Sequence, residues 1–257
     1  MIEARRSPLD LISYPRAVFV LIFGFVSTGF LSVFIPVMAW LSGSKKLVDW
    51  LIEDVWSLPL VVLAGVRVEV RGAELVNQSK KGCLILFNHS SLWDIPVLFK
   101  GFPRPFRFGA KVELFKIPVF GWAMRMCGTL PIDRRNRNKV MKVYQEAITR
   151  IENGECFALA PEGTRQDGAQ LGKFKRGPFE FAINAEADIV PVIIAGALKV
   201  LPKHSAWINV GRFRRRVIVQ ILPPVNAREY TMETVEALQD RVRAEMEPAF
   251  IQLNQEI

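Results

Sequence analysis

The sequence predicts an α/β domain preceded by a hydrophobic helical segment. Three observations lead there. From Gly65 onward, short apolar runs alternate with longer stretches of helical periodicity. Before that point, residues 17–44 carry no charge at all. Two compact polar motifs, Asn88-His89-Ser90-Ser91-Leu92-Trp93-Asp94 and Pro161-Glu162-Gly163-Thr164-Arg165, each follow directly on an apolar run. Ligands of α/β domains collect beyond the C-terminal ends of such strands.

The uncharged run is rich in Val, Leu, Ile and Phe and exceeds the roughly 20 residues that cross a bilayer. Arg5, Arg6 and Arg16 precede it, and Lys45 and Lys46 follow. With basic residues on both flanks, the positive-inside rule assigns no orientation. Gly24, Gly29 and Pro36 permit bends, so two readings stay open: a spanning helix, or a helical hairpin that enters one leaflet and returns. Residues 47–64 are also apolar but are broken by Asp49, Glu53, Asp54 and Pro59, and they contain Trp50 and Trp56. This suits a helix lying at the membrane surface. A cleaved signal peptide fits poorly, because the run is long and residues 60–64 continue its character. The expected organisation is a membrane-associated helical segment over residues 1–64 and a domain over residues 65–257.

Within the domain, residues 66–70 alternate apolar and charged, as a strand with one wet face does. Residues 83–87, 156–160 and 189–195 are apolar throughout and fit strands covered on both faces. Residues 217–222 predict another strand, stopped by Pro223-Pro224. Val140, Val143, Tyr144, Ala147, Ile148 and Ile151 fall at helical spacing over residues 138–152, and Asn153-Gly154 ends that helix. Residues 179–187 and 232–253 are further helices.

The chain of 257 residues has a net charge of +9, and half its residues are hydrophobic. Its pI is about 9.7 and its mean hydropathy +0.20. A basic, apolar protein points to anionic lipid surfaces or nucleic acid as partners. Cys83, Cys127 and Cys156 have no metal-ligand spacing and, being odd in number, no disulfide framework. Buried reduced thiols in a cytosol-facing protein are the expectation.

His89 is one of two histidines. Histidine takes and returns a proton near neutral pH, and a carboxylate can orient it as a base. Ser91-Leu92-Trp93-Asp94 fits a capping box that starts a helix. Five residues around a helix amount to about 140° of rotation, so His89 and Asp94 meet only if His89 sits in the turn before the helix and folds back. Taken alone, the pair reads first as a structural histidine with an N-terminal helix acid. No Gly-x-Ser-x-Gly elbow exists, Ser90 and Ser91 are explained by capping, and His204 has no partner motif. What remains is a base that activates a substrate hydroxyl directly. Two histidines without a nearby Cys or acidic cluster argue against catalytic zinc.

In the second motif, Gly163 lets backbone approach a ligand and Arg165 can grip a phosphate through paired hydrogen bonds. Lys173-Phe174-Lys175-Arg176-Gly177-Pro178 then leads into a helix, whose N-terminus favours anions. A solvated basic loop is the alternative. Lys111 and Asp133-Arg134-Arg135 add charge near strand ends, with Arg135 and Arg137 favoured as surface decoration.

In order and spacing, Asn88-His89-x4-Asp94, Glu162-Gly163-Thr164-Arg165 and the segment Ile189-Val190-Pro191-Val192 resemble the glycerolipid acyltransferases, most closely those that acylate 1-acylglycerol 3-phosphate. Lys111, Phe120-Gly121 and Gly128-Thr129-Leu130-Pro131-Ile132-Asp133-Arg134 resemble that family's second block, the loosest of the matches. The resemblance covers residues 65–224, and a hydrophobic N-terminal segment also suits the family.

The resemblance implies a mixed sheet flanked by helices. It also implies acyl transfer from a thioester of coenzyme A or acyl carrier protein to lysophosphatidate, with no metal or redox cofactor. His89 would be the base and Asp94 its orienter. Arg165, then Lys111 and Arg134, would bind the acceptor, with Glu162, Gly163 and Thr164 shaping its pocket. Phe115, Ile117, Val119, Phe120, Trp122 and Met124 could line an acyl slot, although core packing explains them equally. Such an enzyme would work on membrane lipids, on the cytoplasmic face, at the inner membrane if bacterial. Another lysolipid or glycerol 3-phosphate as acceptor, or phospholipid transacylation, would use the same motifs. A non-catalytic membrane or nucleic-acid binder is the reading from another class, suggested by Arg212-Phe213-Arg214-Arg215-Arg216. The family resemblance gives no expectation of nucleic acid.

Overall fold

A computed structural model describes residues 8–78 and 81–257. Arg5 and Arg6, part of the basic flank noted above, lie outside the described residues. The uncharged run forms one long helix, α1 (Ser13–Ser42), which Gly43 ends in the left-handed conformation with its N–H on Ala39 O at 2.9 Å. The Ser44 side chain then accepts from Leu47 N–H and starts α2 (Lys45–Trp50). A π-helical stretch, Leu51–Ser57, carries the chain on into α3 (Leu58–Leu63). The N-terminal segment is thus a helical hairpin.

The remainder alternates as expected: β1 (Val66–Arg71), β2 (Cys83–Phe87), α4 (Asp94–Gly101), β3 (Phe106–Lys111), α5 (Phe120–Met126), β4 (Leu130–Ile132), α6 (Arg137–Glu152), β5 (Cys156–Leu159), α7 (Gly177–Asn184), β6 (Asp188–Ala195), α8 (Ala197–Val200), β7 (Arg215–Ile221), β8 (Val225–Asn226) and α9 (Val235–Glu256). The short strands β3, β4 and β8 were not legible beforehand. Arg107, Gly109 and Lys111 interrupt the apolar pattern of β3, and β4 spans only three residues.

Among the described residues these strands form one sheet in the order β1-β7-β6-β2-β5-β3-β4, with β8 beside the start of β6. Strands β6, β2, β5, β3 and β4 are parallel, and β7 runs against β6 with β1 parallel to it. The sheet is mixed, as the fold class requires. Side chains alternate faces at the strand period. Leu84, Leu86, Phe157 and Leu159 enter one core with Tyr144 of α6, Phe181 of α7 and Val242 of α9. Ile85, Phe87, Ala158 and Val192 enter the other with Val97 of α4, Leu60 of α3 and Val20 of α1. Cys83 and Cys156 are free buried thiols on neighbouring strands, with sulfurs 3.0 Å apart.

The hairpin lies along this second face. Leu31 and Ile35 of α1 pack on Val48 and Leu51 of the returning helix, while the outer side of α1 presents Phe25, Phe30, Val33, Trp40 and Leu41 to the surroundings, Phe25 being 84% exposed. Two of the acids that break the hydropathy of residues 47–64, Asp49 and Asp54, turn toward basic groups of the domain. Asp49 meets Arg107 at 2.5 Å and Asp54 faces Lys100 at 3.9 Å. Both ends of α1 are fastened. At its start, the Arg16 guanidinium donates to the carbonyls of Phe213, Arg212 (2.8 Å) and Asn209 (3.2 Å). Just past its end, Lys45 Nζ reaches Glu155 Oε1 at 2.5 Å.

Arg16→Ala removes a set of charge-assisted hydrogen bonds and leaves three carbonyls to find new partners. A loss of about 2 kcal/mol is expected, seen as a lowered thermal midpoint. A midpoint equal to wild type would show that α1 is not held there.

Candidate active site

The parallel strands β2, β5, β6 and β3 end on one edge of the sheet, and the polar motifs leave from that edge. Past Phe87 the chain keeps the strand's alternation. Asn88 turns to β6, where its side chain donates to Ile194 O at 3.0 Å and accepts from Ile194 N–H at 2.7 Å. It pairs as a further ladder residue would, and so fixes the residue after it. The register Leu84↔Phe157, Ile85↔Ala158, Leu86↔Leu159, continued three residues, brings His89 opposite Glu162. The His89 N–H donates to Glu162 Oε1 at 3.1 Å.

The chain then turns into α4. The Ser91 hydroxyl accepts from Trp93 N–H at 3.1 Å and donates to Leu201 O at 2.7 Å. Asp94 reaches back, as in a capping box, to the N–H of Ser91 at 2.9 Å and of Ser90 at 2.8 Å. The same oxygen, Oδ2, lies 2.8 Å from His89 Nδ1. His89 does sit in the turn before the helix, with its ring folded back over the first turn. A carboxylate can only accept, so Nδ1 is the nitrogen that donates to Asp94, and Nε2 has no hydrogen-bond partner among the described residues. The Asp94 side chain is fully buried while that of His89 is 14% exposed. The dyad therefore opens to its surroundings through the imidazole alone. Asp94 Oδ1 is buried without a partner.

Glu162, expected to help shape the acceptor pocket, is held by two backbone contacts. It is buried, with Oε1 on His89 N–H and Oε2 accepting from Gly172 N–H at 3.0 Å. Burial raises its carboxyl above the ordinary value, against the pull of those two N–H groups and of His89. Both oxygens are committed to backbone N–H groups, so Glu162 ties the loop to the residue that carries the imidazole. The loop is tied down twice more: Gln166 N–H donates to His89 O and Lys175 N–H to Pro161 O, each at 2.7 Å. Gly163 adopts φ +73°, which its lack of a Cβ allows, and Thr164 is exposed. Arg165, half-buried, has no ion-pair partner among the described residues and immediately precedes the residue bonded to His89.

Lys111 ends β3 on the same edge, half-exposed and 3.6 Å from Glu113. Arg134 follows β4, is exposed, and makes no ion pair among the described residues. Arg137, expected as surface decoration, instead donates to Glu180 Oε1 at 2.6 Å. Glu180 is fully buried on α7, and Arg176 is its second cation at 2.8 Å. A buried carboxylate requires such partners. The aromatic and aliphatic residues considered for an acyl slot divide. Phe115 is buried, whereas Ile117, Val119 and Trp122 are exposed. Val119 has φ +64° at the centre of a tight turn closed by Phe120 N–H on Pro118 O at 2.6 Å. A β-branched residue is strained there.

A profile for the acyltransferase family matches residues 67–195, a span that includes both polar motifs. The chain is 29% identical over 237 residues to the 1-acyl-sn-glycerol-3-phosphate acyltransferase of Saccharomyces cerevisiae, covering 91% of this chain and 76% of the yeast protein. It is 32% identical over 219 residues to the enzyme of the same name from Pseudomonas aeruginosa, covering 84% of this chain and 81% of that one. The crystal structure of the 1-acyl-sn-glycerophosphate acyltransferase PlsC from Thermotoga maritima superposes with a TM-score of 0.79 over 95% of this chain and 97% of that chain. Its identity is 24%, so the likeness is one of fold. On the profile match and the alignment with these relatives over most of its length, the chain belongs to the acyltransferase family.

Proposed function

We propose that this acyltransferase moves a fatty acyl group from a thioester of coenzyme A or acyl carrier protein to the free hydroxyl of 1-acylglycerol 3-phosphate, giving phosphatidic acid. The observation that carries the mechanism is the 2.8 Å contact from His89 Nδ1 to Asp94 Oδ2, which leaves Nε2 bare at the opening of the site. Nε2 takes the proton of the acceptor hydroxyl as its oxygen attacks the thioester carbonyl. Asp94 holds the ring and stabilises the imidazolium that forms. When the tetrahedral intermediate collapses, the C–S bond breaks and the leaving thiolate takes the proton back from Nε2. The enzyme needs no nucleophile of its own.

The acceptor's identity rests on the names of the relatives and on one uncommitted cation. Arg165 sits beside the residue bonded to His89 and is free to hold a phosphate bidentately. Lys111 and Arg134 are the next nearest in role, on the same sheet edge, while Gly163 and Thr164 shape the loop. Glu162 acts through His89.

The anchor enters one leaflet and returns. Both ends of α1 are bonded to the domain, at Arg16 and at Lys45. A spanning helix of 30 residues, about 45 Å long, would carry those ends to opposite sides. The cytoplasmic face is the side that suits three unpaired cysteines and a soluble thioester donor.

His89→Ala should lower turnover about 1,000-fold with the far-ultraviolet dichroism unchanged. Wild-type acyl transfer by that variant would sink the mechanism. Arg165→Ala should raise KM for lysophosphatidate about tenfold or more and spare a phosphate-free 1-acylglycerol. Equal loss on both acceptors would remove Arg165 from the phosphate. In sealed vesicles, with Cys127 replaced by serine, single cysteines at Pro8 and Ser44 should react with an impermeant thiol reagent from the same side. Labelling from opposite sides would establish a spanning helix instead.

A further inference from the structure

The loop from α8 to β7, residues 201–214, takes no part in the chemistry above. Because β7 runs against β6, this loop enters the sheet on the edge where β2 and β6 end. Its second half is fastened beneath the start of α1. Gly211 N–H donates to Ser13 Oγ at 2.8 Å, Phe213 N–H donates to Asp10 Oδ1 at 2.7 Å, and the Arg16 guanidinium caps the carbonyls on either side. From below, Asn209 donates to Ala64 O at 2.6 Å and accepts from Arg215 Nε at 2.7 Å.

This rigid frame holds an unusual set of side chains outward. Trp207 is 57% exposed. Lys203 and Arg214 are exposed and have no ion-pair partner among the described residues. Across the Arg16 contact, the 3-10 turn Pro8–Ile12 and the start of α1 expose Leu11, Ile12 and Tyr14. A lone surface tryptophan or a pair of surface cations calls for no explanation. Here they are bolted to the end of an apolar helix, so the helix face and the loop make one continuous surface. Tryptophan and tyrosine favour the headgroup region, and lysine and arginine are held by anionic headgroups.

We propose that residues 203–214 form a second lipid-contacting element, in which Trp207 seats among the headgroups while Lys203 and Arg214 bind the phosphates of anionic phospholipids. This rests on the reading that α1 enters the membrane. An anchor that meets the lipid along the outer side of α1 alone leaves the protein free to roll about that helix axis. A second contact off that axis stops the roll and sets the angle at which His89 meets the surface.

The test uses the full chain in flotation with vesicles of phosphatidylcholine alone and of phosphatidylcholine with an equal part of phosphatidylglycerol. Wild type should bind both, the anionic vesicles more tightly, and the difference should shrink with salt. Lys203→Glu with Arg214→Glu should cut partition onto anionic vesicles at least about 30-fold, some fivefold per cation. Binding to neutral vesicles and turnover in detergent micelles should not change, which also shows that the variant folds. Lys203→Arg with Arg214→Lys should bind as wild type, and Trp207 fluorescence should be quenched by brominated lipid. Unchanged anionic preference in the charge-reversed variant overturns the proposal and leaves the anchoring by α1 standing. So does unchanged partition with turnover lost only for a carrier-protein donor, which would assign the surface to that donor. Absence of binding to either vesicle removes the membrane reading of α1, and this proposal with it.

Discussion

The parallel register of β2 between β5 and β6 is the constraint on which the site depends. Strand β2 sits in the middle of the sheet and is buried throughout. A slip by one residue would turn its entire apolar set to the wrong face. That same register sets Asn88 against the backbone of β6 and His89 against Glu162. The packing of Leu84, Ile85 and Leu86 and the polar contacts of Asn88 and Glu162 place the imidazole together.

Three carboxylates are buried around this framework, and each is handled differently. Asp94 gathers two N–H groups and the imidazole on a single oxygen. Glu162 spends one oxygen on each of two backbone N–H groups. Glu180 draws two arginines, Arg137 and Arg176, from different elements. An ionised carboxylate in a low-dielectric interior needs partners, and on Asp94 and Glu180 these gather on one oxygen while Asp94 Oδ1 and Glu180 Oε2 stay buried without one. The three solutions graduate from chemistry to scaffolding. Only the Asp94 network includes a group that can exchange a proton near neutral pH.

Much of this was legible in the residues. The central strands announced themselves as uninterrupted apolar runs, and α6 through its spacing and its Asn153-Gly154 stop. The fold-back of His89 over Asp94 followed from helix geometry once the capping box was recognised. The contacts of Glu162 were not legible because a sequence holds no register: only the pairing of Leu84 with Phe157 shows that residues 73 apart are neighbours. Arg137 was set aside for a related reason, since its partner Glu180 lies 43 residues away on another helix. Strand β3 hid behind Arg107, whose charge is consumed by Asp49 of the hairpin. In each case the missing information was a long-range contact, while patterns that repeat within a few residues were read correctly.

The hairpin's attachment bears on how the molecule can be handled. Val20, Leu60, Val61 and Ala64 share a buried cluster with Ile85 and Phe87, the residues beneath the imidazole. The anchor is consequently not a detachable handle. Trimming it to gain solubility would uncover the underside of the very strand that leads into His89. Redesign toward a water-soluble form has to proceed by recolouring the outer face, at Phe25, Phe30 and Trp40, and leave the inner face as it is.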